Sequence, residues 1–353
     1  MAIQNFGDSA GRLNRMAGEI IGHAMHTEVL CSVGKQIEMP KNKSDTIVVR
    51  SWVPYGGTVS SPNTWIVTAE SHITQEGVTP AADTIVPRDV AFTLNQYMAL
   101  YSLTDRDYDL YEDDVAEAMK EQTGERMGLV REMAIFGKLK ASTNKYYAGG
   151  VNAVSRATVQ GPISERLVSN IIRSLKANHG GLITKILSPS NAYASTSVEA
   201  SYVFYVHTDA EYDVRRLPGF REVAAYGSRQ VISDYELGTW QNVRFVISPE
   251  LYSYQQAGAV TSGAGAGLKT SGTPNTSACD VYPVLALAKE AFAQVMLRGQ
   301  NAIEPIFLPP GKSDKSDPGG QRGYIGAKFW HDCEILNPGW IVVAEVGVTD
   351  LTL

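Results

Sequence analysis

The stretch HITQEGVTPAADTIV (72–86) is polar and contains a glycine and a proline, yet strand-like sequence flanks it on both sides. TWIVTAE (64–70) precedes it and PRDVAFTLNQYMALYSLTD (87–105) follows it, and both are rich in β-branched and aromatic residues. DTIVVRSWVPYG (45–56) alternates in the same way and runs into a turn signal. The sequence therefore predicts one or two β-hairpins between residues 45 and 105, with a polar tip that has too few apolar residues to bury itself.

Two helices are predicted after the hairpins. YEDDVAEAMKEQTGERMGLVREMAIFGKLKA (111–141) contains no proline, and its carboxylates at 112–114 and lysines at 138 and 140 complement the helix dipole. At 1.5 Å per residue this helix would be roughly 45 Å long. SERLVSNIIRSLKANHGG (164–181) predicts a further helix with Ser164 as its N-cap.

The C-terminal half alternates strands with long loops, so the fold class is α+β. SYVFYVHTDAEYDVRRL (201–217) predicts a buried strand that runs into a short helix. YIGAKFWHDCEIL (324–336) and WIVVAEVGV (340–348) are predicted to form a terminal hairpin across Asn337-Pro338-Gly339. Residues 255–280 and 309–323 have the composition of polar loops.

Composition excludes several classes of protein. The 353 residues carry a net charge of -6, and sequence-specific nucleic-acid binding usually requires a basic surface. The three cysteines have no C-x-x-C spacing, which indicates reduced thiols. No segment has the length of a signal peptide core or a membrane span, so we expect synthesis in the cytosol without membrane insertion.

Candidate sites for chemistry fail on spacing. GAGAGLKT (263–270) separates its last glycine from Lys269, unlike a phosphate loop. His23 and His26 alone do not fill a zinc shell. The acidic run from Asp105 to Asp114 lacks the glycine and glutamate of a calcium loop, and no G-x-S-x-G is present. No motif supports an enzyme, and we expect no cofactor or metal.

The order of elements and five segments together resemble the major capsid proteins of tailed bacteriophages, which have the Hong Kong 97-type fold. Within that group the chain is most similar to the coat protein family of the N-four-like podophages. The segments are EGVTP (76–80), AFTLNQYMALYSLTD (91–105), FYVHTDAEYDVRRLPGF (204–220), YELGTWQNVRFVISPE (235–250) and YIGAKFWHDCEILNPGWIVVAEV (324–346).

The resemblance implies a division of the chain into named parts. They are an N-terminal arm (1–40), an extended β-hairpin called the E-loop with flanking strands (41–105), a P-domain (106–184) with its spine helix at 111–141, a mainly A-domain region (185–305), and a loop and hairpin that return to the P-domain (306–353). The implied function is self-assembly into the icosahedral shell that encloses the double-stranded DNA of a phage, without catalysis.

The resemblance also implies which residues contact neighbouring subunits. At the E-loop tip these are Glu70, Glu76, Gly77, Val78, Thr79, Pro80 and Arg88, and on the N-terminal arm Leu13, Met16 and Ile20. Some relatives cross-link through an E-loop lysine, but no lysine lies between Lys43 and Lys120. We therefore expect a non-covalent shell.

Further partners follow from the same resemblance. They are other copies of the chain in hexamers and pentamers, a separate scaffolding protein, a portal, and a decoration protein, with DNA enclosed but not bound by sequence. The expected location is the virion, after assembly in the cytoplasm of the bacterial host. Two alternatives remain at this point: the shell protein of a cellular nanocompartment (encapsulin), and an α+β enzyme without a recognisable motif.

Overall fold

The computed structural model describes residues 28–74, 76–77, 79, 82–110, 115–187, 195–226, 231–297, 304–313 and 317–352. The helices in these ranges are α1 (Asp105–Leu110), α2 (Val115–Leu139), α3 (Glu165–Ala177) and α4 (Glu211–Arg215). The strands are β1 (Lys35–Met39), β2 (Thr46–Val53), β3 (Val86–Thr93), β4 (Asn95–Thr104), β5 (Lys145–Tyr147), β6 (Ile183–Leu187), β7 (Ser195–His207), β8 (Arg221–Glu222), β9 (Glu236–Trp240), β10 (Val243–Ser248), β11 (Tyr282–Leu287), β12 (Phe292–Leu297), β13 (Glu304–Leu308), β14 (Arg322–Ile335) and β15 (Ile341–Val346).

An eight-stranded sheet forms the larger core, with strand order β5-β15-β11-β7-β10-β9-β8 and β6 paired to β7. Side chains of β7 alternate between its two faces, as a pleated strand requires. Phe204 and Val206 pack in one core cluster with α3, and Val203 and Tyr205 pack in another with the C-terminal half of α2. The sheet is therefore covered on both faces.

A five-stranded sheet lies along the rest of α2. Its order is β1-β12-β14-β13, and β4 pairs antiparallel with β14 from Asn95 to Thr104. Ala327 and Phe329 of β14 pack against Met127 of α2. Among the described elements, no helix covers the opposite face of this sheet. The larger sheet, in contrast, has a helix on each face.

Both helix predictions are confirmed, with shorter bounds. The long helix is α2, whose described part begins at Val115 and ends at Leu139. The second helix is α3, and its predicted N-cap is correct, because Ser164 Oγ accepts a hydrogen bond from Leu167 N at 3.3 Å. The acidic run that resembled a calcium loop begins with the short helix α1.

The predicted terminal hairpin is wrong, although both of its strands exist. β14 pairs with β4, β12 and β13, whereas β15 pairs with β11 and β5 in the other sheet. A tight turn at Pro338–Trp340, in which Asn337 Oδ1 accepts from Gly339 N at 3.0 Å, passes the chain between the sheets. The apolar pattern of a strand determines which faces are buried, but it does not determine which strand lies beside it.

The predicted strand at 64–70 is also wrong. Residues 64–68 belong to no strand, and a short 3-10 helix covers Ala69–His72. Ile66 N bonds to Tyr55 O, so this segment folds back along the preceding turn. The apolar alternation of this segment has no partner strand among the described residues, and its apolar side chains are exposed.

Candidate assembly surface

A two-stranded arm lies between β1 and β4 in the chain. The arm, residues 46–93, consists of β2 and β3 paired antiparallel from Thr46–Thr93 to Val53–Val86, together with the connection between them. Arg50 and Asp89 form a two-point salt bridge across the strands, with nitrogen–oxygen distances of 2.8 and 2.9 Å. A hairpin between residues 45 and 105 is thus confirmed, but β2 takes the place of the predicted strand at 64–70.

The two strands of the arm bury one residue at the base, Phe92, and one at the far end, Val53. Phe92 is fully buried beside Met39 and Val295, so the base joins the core of the five-stranded sheet. Farther out, ten large apolar side chains each leave between 36% and 74% of their surface exposed. They are Val48, Trp52, Tyr55, Val59, Trp65, Ile66, Val67, Ile73, Ile85 and Val86. An exposed apolar surface of this extent marks a site of protein–protein contact.

Three polar contacts anchor the arm to its own subunit. Asn63 exchanges side-chain hydrogen bonds with Asn337, at 3.0 Å from Asn63 Nδ2 to Asn337 Oδ1 and at 2.5 Å in the other direction. Thr93 N donates to Asp332 Oδ2 at 2.8 Å. The Arg88 guanidinium donates to the carbonyl of Leu336, and partial burial lowers the pKa of Arg88. These contacts fix the direction in which the apolar surface points.

The predicted contact residues of the tip are only partly described. Glu70, Glu76, Gly77 and Thr79 are exposed, in and beyond the 3-10 helix. Val78 and Pro80 lie outside the described residues, as do Leu13, Met16 and Ile20 of the N-terminal arm. Arg88 is separated from the tip and is bonded to its own chain. Their role in contacts between subunits stays a prediction.

A second exposed apolar surface was missed by the sequence analysis. It lies on the face of the five-stranded sheet that points away from α2, where Met98 and Leu100 of β4, Leu308 of β13 and Tyr324 of β14 are exposed. The alternation in AFTLNQYMALYSLTD predicts two faces for β4 and does not distinguish the solvent face from the core face, because both carry large apolar residues.

A buried carboxylate of α2 forms hydrogen bonds with the first described residues of the chain. Glu132 Oε1 accepts from the backbone N–H groups of Val29 and Leu30 at 3.0 and 2.8 Å. Burial raises the pKa of Glu132, although these two hydrogen bonds oppose the change. Arg131, the next residue, pairs with Glu28 at 3.1 Å. The predicted arm at 1–40 therefore ends in residues fixed to the body, including β1.

One polar cluster has the residue types of an active site. Asp209 accepts from Lys269 Nζ at 2.6 Å and from the Tyr282 hydroxyl at 2.7 Å, beside a cleft of about 420 Å³. Burial alone would raise the pKa of Asp209, but these hydrogen bonds hold it below its usual value. Burial lowers the pKa of the neighbouring His207, whose Nδ1 accepts from Asp209 N. The carboxylate is already satisfied as an ion-pair and hydrogen-bond partner.

The described residues contain no group of three or more His, Cys, Asp or Glu side chains placed to hold a metal ion. Cys31, Cys279 and Cys333 are free thiols. Within the same ranges no helix combines the length and hydrophobicity that a membrane crossing requires. Lys269, from the glycine-rich segment that resembled a phosphate loop, is the partner of Asp209.

Comparison with known proteins gives a weak sequence match and a strong structural one. The major capsid protein of Pseudomonas phage KPP21 is 25% identical over 133 residues, which are 36% of this chain and 32% of that protein. The match thus spans about a third of the relative's length. No family model matches the chain.

Solved capsid structures match nearly the whole chain. The capsid of Ralstonia phage GP4 covers 99% of this chain and 99% of its own, with a TM-score of 0.67 at 12% identity. The head structure of Helicobacter pylori bacteriophage KHP40 covers 99% and 98%, with a TM-score of 0.58 at 10% identity. The chain therefore has the fold of phage capsid proteins, the α+β Hong Kong 97-type capsid fold that the sequence resemblance predicted.

Proposed function

We propose that this chain is the major capsid protein of a tailed bacteriophage, and that its copies assemble into the icosahedral shell around double-stranded DNA. The observation that carries the proposal is the arm: on a capsid fold, ten large apolar side chains of one extension are left exposed. The name of the Pseudomonas phage relative supports the same function. No catalytic step is part of the proposal.

Physical chemistry favours a partner that is another copy of the chain. The exposed apolar side chains of an extended hairpin become buried when the hairpin lies on a second molecule. A single interface of about 1,600 Å² can be weak or tight, because buried area alone does not set the affinity. Many such contacts closing in rings give a stable assembly even when each is weak. The neighbour's surface that suits the arm is the exposed apolar face of the five-stranded sheet.

The finer assignments stay proposals. They comprise the division at 1–40, 41–105, 106–184, 185–305 and 306–353, the hexamers and pentamers, the scaffold, portal and decoration proteins, assembly in the host cytoplasm, and membership of the N-four-like family. The sheets join different parts of this division, because β1 pairs with β12, β4 with β14 and β11 with β15. The net charge of -6 is compatible with enclosing DNA without binding it tightly.

Electron microscopy of particles from cells that express the chain, with and without the neighbouring viral genes, tests the proposal. We expect uniform hollow shells, either from the chain alone or only when a scaffold is supplied. Such shells should dissociate to single subunits in denaturing gel buffer, since the E-loop lacks a cross-linking lysine. A folded protein that stays monomeric under both conditions would refute the proposal, and particles filled with an enzyme cargo would favour the encapsulin alternative.

A further inference from the structure

Edge strands of the described sheets differ in how they are protected from pairing with other chains. An unpaired strand edge presents free backbone N–H and C=O groups, and proteins usually blunt it with charges, proline or short length. Almost every edge here follows that rule. The charged residues and prolines in the sequences of these strands are Lys35 and Glu38 in β1, Arg50 in β2, Pro87, Arg88 and Asp89 in β3, Lys145 in β5, Lys185 in β6, Arg221 and Glu222 in β8, and Glu304 and Pro305 in β13.

Strand β4 is the exception among the described edge strands. Its ten residues, NQYMALYSLT, include no charged residue, no proline and no glycine. One edge pairs with β14 over the full length of the strand, and no described strand pairs with the other edge. A long, uncharged and partly apolar edge of this kind is a site where a further strand adds to a sheet.

We propose that β4 is a contact between subunits, in which two copies of the chain pair β4 with β4, antiparallel, across a two-fold axis. The inference rests on the proposed shell function and names one of its contacts. The composition of β4 favours a second β4 as its occupant. It presents no charge for a basic or acidic segment to recognise, and self-pairing of an uncharged strand places no like charges opposite each other.

Symmetry restricts the register of this pairing. A two-fold axis between antiparallel strands stands perpendicular to the sheet, so residues opposite each other belong to the same face. Met98 and Leu100 are the large exposed side chains of β4, at 57% and 43% exposure. An axis through Ala99 places Met98 opposite Leu100 of the partner subunit, twice. Axes through Met98 or Leu100 leave one of these side chains opposite a polar residue.

Cysteine pairing tests the strand and its register together. Met98→Cys and Leu100→Cys chains are purified separately, mixed, assembled and oxidised. Opposite residues have Cα atoms about 4.5–5.5 Å apart, within the range of a disulfide, whereas identical residues are displaced by two positions. We expect about tenfold more disulfide-linked dimer from the mixture than from either variant alone, because only the mixture offers Cα distances below about 7 Å.

A second measurement needs no substitution. Hydrogen exchange of the β4 amides in the unsubstituted chain should slow in shells relative to free subunits. Shells that form without the mixture-specific disulfide and without this protection would overturn the β4 contact and leave the proposed function intact. Protection without the disulfide would assign the edge to another segment, such as the arm or a scaffold, and would also overturn it. A chain that never assembles would overturn both proposals.

Discussion

The arm and the eight-stranded sheet are both built from strands rich in β-branched and aromatic residues, yet their burial differs completely. All residues of β9, β11 and β15 are buried, whereas β2 buries only Val53 and β3 only Phe92. The sheet has α2 on one face and α3 on the other. Among the described elements, no helix covers the two strands of the arm.

The difference indicates that the subunit buries the apolar side chains of the eight-stranded sheet by itself, whereas those of the arm are left for a neighbouring subunit to bury. Loss of an apolar contact in the sheet should therefore reduce the stability of the isolated subunit. Loss of the same kind of side chain in the arm should affect only assembly. Four variants follow, ordered by their expected effect on subunit stability.

Phe204→Ala should have the largest effect. Phe204 is fully buried and its ring lies 5.6 Å from that of Phe245, so truncation leaves a cavity in the centre of the sheet. Such substitutions cost about 3–5 kcal/mol in the free energy of unfolding. Urea unfolding of the soluble subunit measures the change, and a loss below about 1 kcal/mol would contradict the assignment of this cluster as the main core.

His331→Leu should change the pH dependence of stability. Burial, with a smaller contribution from Arg131, lowers the pKa of His331 from 6.5 to about 4. The unfolded chain then binds a proton that the folded chain does not, so stability should fall by up to roughly 3 kcal/mol as the pH drops from 6.5 to 4. The variant should lack this loss. Thermal unfolding of both proteins at several pH values measures the difference.

The control for this substitution is the stability near pH 7.5. Neither ring nitrogen of His331 has a hydrogen-bond partner among the described residues, so leucine removes two unsatisfied polar atoms and should be neutral or stabilising there. Glu132 titrates with the opposite sign, because its raised pKa destabilises the folded state as pH rises, and it contributes equally to both proteins. Parallel pH curves for the two proteins would rule out a buried neutral His331.

Ser164→Ala should cost about 1 kcal/mol, since it removes the side-chain oxygen that accepts from Leu167 N at the start of α3. Ser164→Asp is the matched control, because aspartate supplies an equivalent acceptor and should retain stability. The same urea unfolding assay resolves the two variants. Equal losses for both would show that the cap does not stabilise α3.

Trp65→Ala combined with Ile73→Ala should have the smallest effect on the subunit, within about 0.5 kcal/mol, since both side chains are largely exposed. Shell formation should nevertheless fail, which electron microscopy and sedimentation would detect. Tyr252→Ala, an exposed aromatic of the body, is the control and should assemble normally. Normal shells from the double variant would mean that the arm is not the principal contact.

Local sequence was sufficient for the elements with strong local signals. The spacing of apolar residues and the capping serine predicted α2 and α3, because helix hydrogen bonds and caps connect residues that are close in the chain. Alternation predicted β2 and β3 as strands, although not their pairing, and the quoted segments predicted the capsid fold.

Tertiary structure alone decided which strands are neighbours and which surfaces remain open. β1 pairs with β12 across more than 250 residues, and β14 and β15 separate into different sheets despite their short connection. A segment with alternating apolar residues, such as 64–70 or β4, can pack against its own chain or against another chain, and its sequence does not distinguish the two. Strand pairing depends on long-range closure, so only the folded subunit reveals that the arm and the outer edge of β4 are left for other molecules.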